Sequence, residues 1–411
     1  MRRQRIQWIA ELNPETLDDA TDPDRTFRYI DIGSVSAGGR IEPGDHIRFG
    51  DAPSRARRII RADDIVVSTV RTYLRAVARI PPDLDGQVAS TGFAVLRPRP
   101  NVDARFLAYS CASDPFVEEV VARSVGVSYP AINASDLAKI EIALPGIEEQ
   151  RRIANFLDRE TARIDELAAA KDAMLTCLES RLRRVCTDLL ADQPLGPRLK
   201  HVSAGITSGP RGWGHLVADE GTPFIRIANV DRRTVFPIER NLIAVDAPQS
   251  PERVRATVRE GDALISITAD IGSTAIVQGA LVGGVVSQHV ALVRRDAAKT
   301  VEGWAAMAVR DDRAAHQLIA GQYGGTKQQL SLGEVADVRI CAPAMDVQRE
   351  IASRVRSKSS ALIAAHDGVA TSIAILAEYR RALITEAVTG QLDIARMSES
   401  AAEERLEEAL S

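Results

Sequence analysis

Two long stretches of the chain carry a hydrophobic pattern with the period of a helix. Neither proline nor glycine occurs from Glu148 to about Ala191, and apolar residues recur there at heptad spacing. A second stretch, from about residue 345 to 388, repeats the same phase. Each stretch predicts a helix about 60 Å long, at 1.5 Å per residue, with a narrow apolar seam that suits a coiled coil. The predicted seam consists of Leu157, Ile164, Leu178, Val185, Val355, Leu362, Val369, Leu376 and Leu383.

The sequence before each helix changes to short β-branched runs bounded by Gly, Pro and Asp, which are typical of strands. Examples are DDIVVSTV from Asp63 and DALISIT from Asp262. The aspartates Asp63, Asp64 and Asp262 precede strands and resemble paired catalytic carboxylates. Turn formation is the preferred interpretation, because no further carboxylate, histidine or lysine stands at catalytic spacing.

The whole pattern of strands followed by a long helix occurs twice, 198 residues apart. LPGIEEQRRIA from Leu144 returns as APAMDVQREIA from Ala342, so that Gln150 matches Gln348. The register extends upstream through SVGVSYPAINASDLAKIEI and YGGTKQQLSLGEVADVRI, and downstream along both helices. The chain therefore predicts a tandem duplication of a globular head and a long helix.

The duplication predicts an α+β protein with two mixed α/β heads separated by two long helices. If the helices pack as an antiparallel coiled coil, their seam buries itself and the molecule acquires a pseudo-twofold axis. A parallel pairing would instead place both heads at one end. The predicted segments are a first head at 1–143, a helix at 144–191, a second head at 192–341, a helix at 342–396 and an acidic tail at 397–411.

Composition excludes several classes of function. The four cysteines and six histidines show no disulfide or metal-ligand spacing, and we expect a reduced, cytoplasmic protein. We expect no membrane segment, because neither a signal sequence nor a run of 18 apolar residues occurs. Phosphate-binding glycine loops and the Asn-Pro-Pro-aromatic motif of amino-methyltransferases are also missing from the sequence. A formal net charge of -4 predicts that any nucleic-acid site is a local basic patch.

Several motifs resemble the specificity subunit of type I restriction-modification systems. LPGIEEQRRIANFLDRETARIDEL from Leu144, its repeat, and EYRRALITEAVTGQLDI from Glu378 resemble the helical regions of that family. TSGPRGWG from Thr207, GTPFIRIANV from Gly221 and the later GGTKQQLSLGEV resemble one of its target recognition domains. The two copies differ in places, since Ala342 replaces Leu144. The resemblance covers essentially the full chain.

The resemblance implies a DNA-reading subunit without catalysis of its own. Each head would read one half of a split site in double-stranded DNA, and the helices would fix the gap and dock two methyltransferase (M) subunits. S-adenosylmethionine would be bound by that partner, and a restriction (R) subunit using ATP and Mg²⁺ is a further implied partner. No cofactor is expected in this chain.

Basic and aromatic residues near turns are the candidate DNA contacts. Phosphates favour arginine and lysine, and base edges favour arginine, lysine and small polar side chains. The alternative for each basic residue is a solvated surface charge, and Trp213 has a core position as its alternative. The candidates are Arg55, Arg57, Arg58, Arg71, Tyr73 and Arg75 in the first head and Arg211, Trp213, Arg232, Arg233, Lys327 and Gln328 in the second.

Two other classes of function remain open at the level of the sequence. A scaffold with protein-binding heads would show no sequence-specific DNA binding even with a methyltransferase partner. A fused DNA-modifying enzyme with unrecognised motifs would methylate or cleave DNA as the purified chain alone.

Overall fold

The structure is a computed structural model that describes residues 2–126, 129–320, 329–394 and 399–410. The chain divides into two compact units. The first unit is Met1–Ala170 with Thr371–Ser411, and the second is Lys171–Ala370. Each unit therefore contains one head, the start of the long helix that follows this head, and the end of the other long helix.

The first head is built on two four-stranded sheets. One has the strand order β2-β9-β6-β7 and is antiparallel; the other has the order β4-β3-β8-β5 and pairs β3 with β8 in parallel. A separate antiparallel pair joins β1 to β10. The elements are β1 (Arg2–Arg5), α1 (Ile6–Ile9), β2 (Ala10–Leu12), β3 (Thr26–Ile30), β4 (His46–Arg48), β5 (Ala56–Ile59), β6 (Ile65–Ser68), β7 (Val77–Arg79), β8 (Val88–Ser90), β9 (Phe93–Pro98), α2 (Ala104–Ala112), α3 (Asp114–Ala122), α4 (Ala134–Leu137), β10 (Glu141–Leu144) and the first long helix α5 (Ile147–Leu190).

The second head repeats this topology. Its sheet β11-β18-β15-β16 has the same order as β2-β9-β6-β7, and its sheet β12-β14-β13-β17 again contains one parallel pair, β13 with β17. The elements are β11 (Ser203–Ser208), β12 (Val217–Ala218), β13 (Thr222–Ile225), β14 (Ile243–Val245), α6 (Pro251–Ala256), β15 (Ala263–Ser266), β16 (Thr274–Ile276), β17 (Val285–Val286), β18 (Val290–Arg295), α7 (Trp304–Val309), α8 (Asp312–Ala320), α9 (Leu332–Asp337), the second long helix α10 (Met345–Thr389) and α11 (Glu399–Leu410).

One hydrophobic core of each head lies between the antiparallel sheet and the two helices that follow it. All four residues of β6, with the β-branched sequence IVV before a serine, are buried, and the same holds for β15. Asp103 starts α2 by accepting hydrogen bonds from the N–H groups of Arg105 and Phe106, at 3.0 and 3.2 Å. Phe106 and its counterpart Trp304 are both fully buried.

A buried glutamine fastens each long helix to its head. Gln150 accepts a hydrogen bond from the Asp103 N–H (2.9 Å) and donates to the carbonyls of Asn101 (3.4 Å) and Pro145 (2.9 Å).

Gln348 repeats this arrangement 198 positions further on. It accepts from the Val301 N–H at 3.1 Å and donates to the carbonyls of Lys299 (3.1 Å) and Pro343 (2.8 Å). Both glutamines are 1% exposed. The two copies of the duplicated sequence thus form the same three hydrogen bonds of a buried glutamine at this position.

The two long helices run antiparallel in each unit. In the first unit, Arg380 pairs with Asp165 at 3.1 Å, whereas Val388, further along α10, lines the same cavity as Ile142, which precedes α5. In the second unit, His366 lies 3.6 Å from Glu179. There Ile363, three residues earlier in α10, shares a cavity with Leu182, three residues later in α5. These contacts confirm the predicted fold class of two mixed heads with antiparallel long helices.

Most of the predicted seam is buried within its unit. Seven of the nine residues are at most 6% exposed. The other two, Leu362 and Val369, are half-buried. The buried seven are Leu157, Ile164, Leu376 and Leu383 in the first unit and Leu178, Val185 and Val355 in the second.

The acidic C-terminal segment forms a helix on the first unit. Leu406 of α11 is buried in the cluster that also contains Ile164 and Leu376. Ion pairs join Arg405 to Glu386 at 2.9 Å and Glu403 to Arg163 at 3.0 Å. The last helix therefore covers part of the seam of the two long helices.

Replacing Leu376 by Ala should lower the free energy of unfolding by about 2–5 kcal/mol, because the side chain is 1% exposed and its removal leaves a cavity. Met174 on α5 is 50% exposed, so Met174→Ala is the matched control and should change stability by less than about 0.5 kcal/mol. Chemical denaturation followed by circular dichroism measures both. Equal losses in the two variants would contradict the buried seam.

Replacing Gln150 or Gln348 by Leu should destabilise the protein by at least about 2 kcal/mol. The leucine has a similar volume but leaves one backbone N–H and two carbonyls without partners, and a buried unpaired group costs roughly 1–3 kcal/mol. The control is Arg152→Leu, two residues after Gln150 in the same helix, where the side chain is 64% exposed. If the glutamine variants unfold at the same denaturant concentration as the control, the fastening role is wrong.

Candidate nucleic-acid interface

A strained turn links β6 to β7 in the first head. Arg71 and Arg75 adopt φ angles of 49° and 57°, in the left-handed region that non-glycine residues rarely occupy. The turn is fixed from two sides, since the Ser68 hydroxyl donates to the Val70 carbonyl (2.6 Å) and the Arg71 N–H to the Pro130 carbonyl (2.8 Å). Strain of this kind is maintained only where the surrounding structure imposes it, and it clusters at binding sites.

The turn presents a cation and two phenol rings to solvent. The Arg71 guanidinium lies 4.9 Å from the centre of the Tyr129 ring, and Tyr129 and Tyr73 are 66% and 56% exposed. A bridge between Val70 and Ala131 holds the two segments together. Arginine and aromatic side chains in this arrangement can contact phosphates and stack on sugars or bases. Tyr129 was missed at the level of the sequence, because only the fold brings it beside Arg71.

The second head has a strained turn at the same place. Between β15 and β16, Ala269, Asp270 and Gly272 have φ angles of 34°, 49° and 85°. The Ser266 hydroxyl donates to the Thr268 carbonyl at 2.9 Å, as Ser68 does in the first head. Thr268 forms a bridge with Gln329, matching the bridge of Val70 with Ala131. Both heads therefore form the same kind of turn from different side chains.

Polar groups surround the second turn. The Thr268 hydroxyl lies 2.9 Å from His289 Nδ1, and His289 Nε2 lies 2.9 Å from Gln288 Nε2. Arg232 forms an ion pair with Asp270 and remains 66% exposed on its side chain. The first head has Thr91 and Gly92 where the second has Gln288 and His289. The two turns consequently offer different hydrogen-bonding groups.

The remaining candidates of the first head differ in the exposure and the ion pairing of their side chains. Arg55 is exposed. Arg57 is held by Asp19 at 2.9 Å, with its guanidinium 4.9 Å from the Phe49 ring. Arg58 is half-buried and donates to the Thr16 hydroxyl at 3.1 Å, and burial lowers its pKa.

Arg75 is half-buried and forms an ion pair with Asp114 at the start of α3. Of the first head's candidates, Arg55, Arg71 and Tyr73 are therefore the ones that the structure leaves accessible.

In the second head, one candidate is buried and another is half-buried. Trp213 is 6% exposed and belongs to the hydrophobic core of the sheet β12-β14-β13-β17. Arg233 bonds to Asp231 at 3.0 Å and to His366 at 3.1 Å, so it braces the head against α10. Arg211 is exposed. Lys327 and Gln328 lie outside the described residues.

The aspartates that precede strands have structural roles. Asp64 and Asp262 are each 1% exposed. Asp64 accepts from the Arg61 N–H and the Arg97 guanidinium, both at 2.8 Å. Asp262 accepts from the Arg259 N–H at 2.8 Å and from Arg294 at 2.5 Å.

Asp63 has a φ of 69° and occupies the position at which the second head has Gly261 (φ 77°). This geometry agrees with the prediction that these aspartates form turns. Arg97 also bonds to Glu15, and the hydrogen bonds from Arg61 and Arg97 lower the pKa of Glu15 to about 2.

Among the described residues, no group of three or more His, Cys, Asp or Glu side chains is arranged to hold a metal ion. The four cysteines are free, and burial raises the pKa of Cys186 to about 12 and that of Cys341 to about 11.

Comparison with known proteins finds similarity to type I restriction-modification specificity subunits. Residues 59–176 match the family described as the type I restriction modification DNA specificity domain. This part of the chain is similar to the DNA specificity domain of type I restriction-modification systems. The specificity subunit of the type I restriction enzyme HindI from Haemophilus influenzae is 27% identical over 110 residues, which are 26% of this chain and 24% of that relative. The alignment thus spans about a quarter of the relative's length.

A solved structure shares the fold of this chain. A chain from work on complex assembly and conformational transition of the type I R-M system has a TM-score of 0.73 and 28% identity, and the match covers 95% of this chain and 98% of that one. The HsdS subunit from Thermoanaerobacter tengcongensis is 27% identical with a TM-score of 0.48, covering 95% and 97%. The likeness in fold rests on the first of these.

Replacing Arg71 by Ala should weaken DNA binding about tenfold and reduce the slope of log affinity against log salt by about 1, because one phosphate contact is lost. Arg48→Ala is the control, since Arg48 is exposed but already neutralised by Asp51 at 2.8 Å and Asp24 at 3.3 Å. Fluorescence anisotropy of the complex reconstituted with its methyltransferase subunit measures both. An unchanged salt slope for Arg71→Ala would remove this residue from the interface.

Proposed function

We propose that this chain is the DNA-recognition subunit of a type I restriction-modification complex and that each head reads one half of a split DNA site. The observation that carries the proposal is the repeated head with a strained, polar turn at the same position. The match to the DNA specificity domain supports the same conclusion. Two heads on one chain suit a site made of two half-sequences.

The proposed DNA contacts are the accessible residues at and near the two turns. In the first head they are Arg55, Arg71 and Tyr73, joined by Tyr129; in the second they are Arg211 and Arg232. Lys327 and Gln328 lie outside the described residues. We include them among the proposed contacts because they precede Gln329 in the sequence, and Gln329 forms a bridge with Thr268 of the second turn. The internally paired candidates Arg57, Arg58, Arg75, Arg233 and Trp213 would position these surfaces.

The difference between the turns supports an asymmetric DNA site. The first turn carries a cation stacked on a phenol ring, whereas the second carries an arginine paired with a carboxylate beside a histidine and a glutamine. Base edges in the major groove differ in their donors and acceptors, so two different side-chain sets select two different half-sequences.

The long helices would fix the gap between the half-sites and dock two M subunits. Support comes from α10, which contains an 18-residue window long and apolar enough to cross a membrane by length and composition, of which only 6% is buried. His366 and Asp367 interrupt the apolar stretch around Ile363 and Ile373. An apolar surface of this kind on a DNA-binding family member is better accounted for by a protein partner than by a bilayer.

Catalysis would reside in the partners of this chain. The methyltransferase subunit would bind S-adenosylmethionine and transfer the methyl group, and an R subunit would use ATP and Mg²⁺. This chain would act in the cytoplasm as the non-catalytic component. The proposal requires that the purified chain alone neither methylates nor cleaves DNA.

Exchanging residues 1–143 for the corresponding head of a relative should change one half of the methylated sequence and leave the other half unchanged. The physical reason is that each head has its own sheets, core and turn. Mapping of methylated positions in genomic DNA of cells that express the hybrid with the M subunit tests this. The reciprocal exchange of residues 192–341 is the matched control and should alter the opposite half. A change in both halves from either exchange would contradict independent heads.

A further inference from the structure

A cavity of about 450 Å³ lies inside the first unit, at the base of the first head. Its walls come from α2 and α3, from the strand pair β1 and β10, and from the last residues of α10. Cavities of this volume accommodate small organic ligands. The proposed DNA-contact residues of the first head do not line it.

The second unit shows what occupies the equivalent position. The helices α3 and α8 begin at Asp114 and Asp312, so the spacing of 198 residues makes Arg313 the counterpart of Pro115. The Arg313 guanidinium bonds to the Leu190 carbonyl (2.8 Å), the Asp311 carboxylate (2.6 Å) and Cys341 Sγ (3.3 Å). Asp311 is completely buried. In the second unit one arginine thus links the head to the end of α5.

The first unit lacks this arginine and its carboxylate. The counterparts of Arg313, Asp311, Cys341 and Leu190 are Pro115, Ser113, Ala143 and Val388. All four of these residues line the cavity. The cavity therefore includes the position that the Arg313 guanidinium occupies in the other copy.

The charge on the cavity walls favours an anion. Four cationic side chains and two carboxylates line it. The carboxylates are already engaged, because Glu119 bonds to Arg123 at 2.8 Å and Glu141 lies 3.5 Å from Arg5. Lys139 is paired with Asp136 at 2.8 Å, outside the cavity lining. Three carboxylates therefore oppose the four cations and one positive charge remains in excess, whose attraction for an anion is strengthened in a partly enclosed site.

A buried hydroxyl without a partner also lines the cavity. Ser110 is 2% exposed, and its Oγ has no hydrogen-bond partner among the described residues. A buried polar group in this state normally has a bound water or ligand. Phe116 and Ile142 add apolar walls beside it.

We propose that this cavity binds a small organic oxyanion, with a phosphate or carboxylate group near Arg3, Arg5 and Arg123 and a hydrophobic body against Phe116 and Ile142. The ligand takes the place that Arg313 holds in the second unit, between α3 and the end of α10. Its binding stabilises the first unit, because a ligand that binds only the folded state raises the melting temperature.

The test introduces the aspartate and arginine of the second unit at the equivalent positions of the first unit. The double variant Ser113→Asp/Pro115→Arg gives the cavity the same two side chain types that Asp311 and Arg313 provide in the second unit. The native second unit shows that this fold accepts them. Inorganic phosphate, adenosine 5′-monophosphate and uncharged adenosine serve as probes of the full-length chain. Isothermal titration calorimetry measures affinity, and thermal unfolding of the double variant without ligand checks that it folds.

We expect adenosine 5′-monophosphate to bind the wild-type chain more tightly than phosphate or adenosine does. Its affinity for the double variant should be at least tenfold weaker than its affinity for the wild type. Arg123→Ala, which removes one cation without filling the space, should weaken binding of both anions and leave adenosine unchanged. The proposal is overturned if neither anion binds the wild-type chain at millimolar concentration. Equal affinity of the anions for the wild type and a folded double variant would overturn it as well.

Discussion

The hydrogen bonds of Gln150 and Gln348 are the constraint on which the arrangement of each unit depends. Each side chain ties the first turn of a long helix to two backbone groups of the preceding head and to the proline carbonyl before the helix. Because the glutamine fixes the rotation of the helix about its axis at the start, it also fixes which face carries the seam. A helix rotated by one residue, or about 100°, would turn Leu157 away from its partners.

The ends of the long helices are held in a reciprocal way. The Asp114 N–H donates to the Thr385 hydroxyl at 3.0 Å, and the Asp312 N–H donates to the Thr187 hydroxyl at 3.1 Å. Each head thus binds the start of its own helix and the end of the other copy's helix. Neither unit is complete without both halves of the duplication, so the antiparallel pairing follows from contacts inside the heads as much as from the seam.

The features that could be predicted from the sequence are those with a period or a repeat. The heptad spacing of Leu376 and Leu383 and the recurrence of the Pro-x-x-x-x-Gln motif are properties of neighbouring residues, and they predicted the helices and the duplication. Tyr129 and Arg233 illustrate what could not be predicted. Tyr129 meets Arg71 across 58 residues, and Arg233 meets His366 across 133 residues, and both contacts depend on how loops pack.

The two copies diverge at positions where change costs little. Gln150, Asp64 and Ser68 have counterparts with the same hydrogen bonds in the second head, because a buried polar group that loses its partner costs roughly 1–3 kcal/mol. Arg71 and Tyr73 on the first turn are exposed, and substitutions at exposed positions usually change stability by less than about 0.5 kcal/mol. The turn conformation is imposed by buried bonds below it, while its side chains remain free to vary. A duplicated head built in this way can acquire a second DNA specificity without losing its fold.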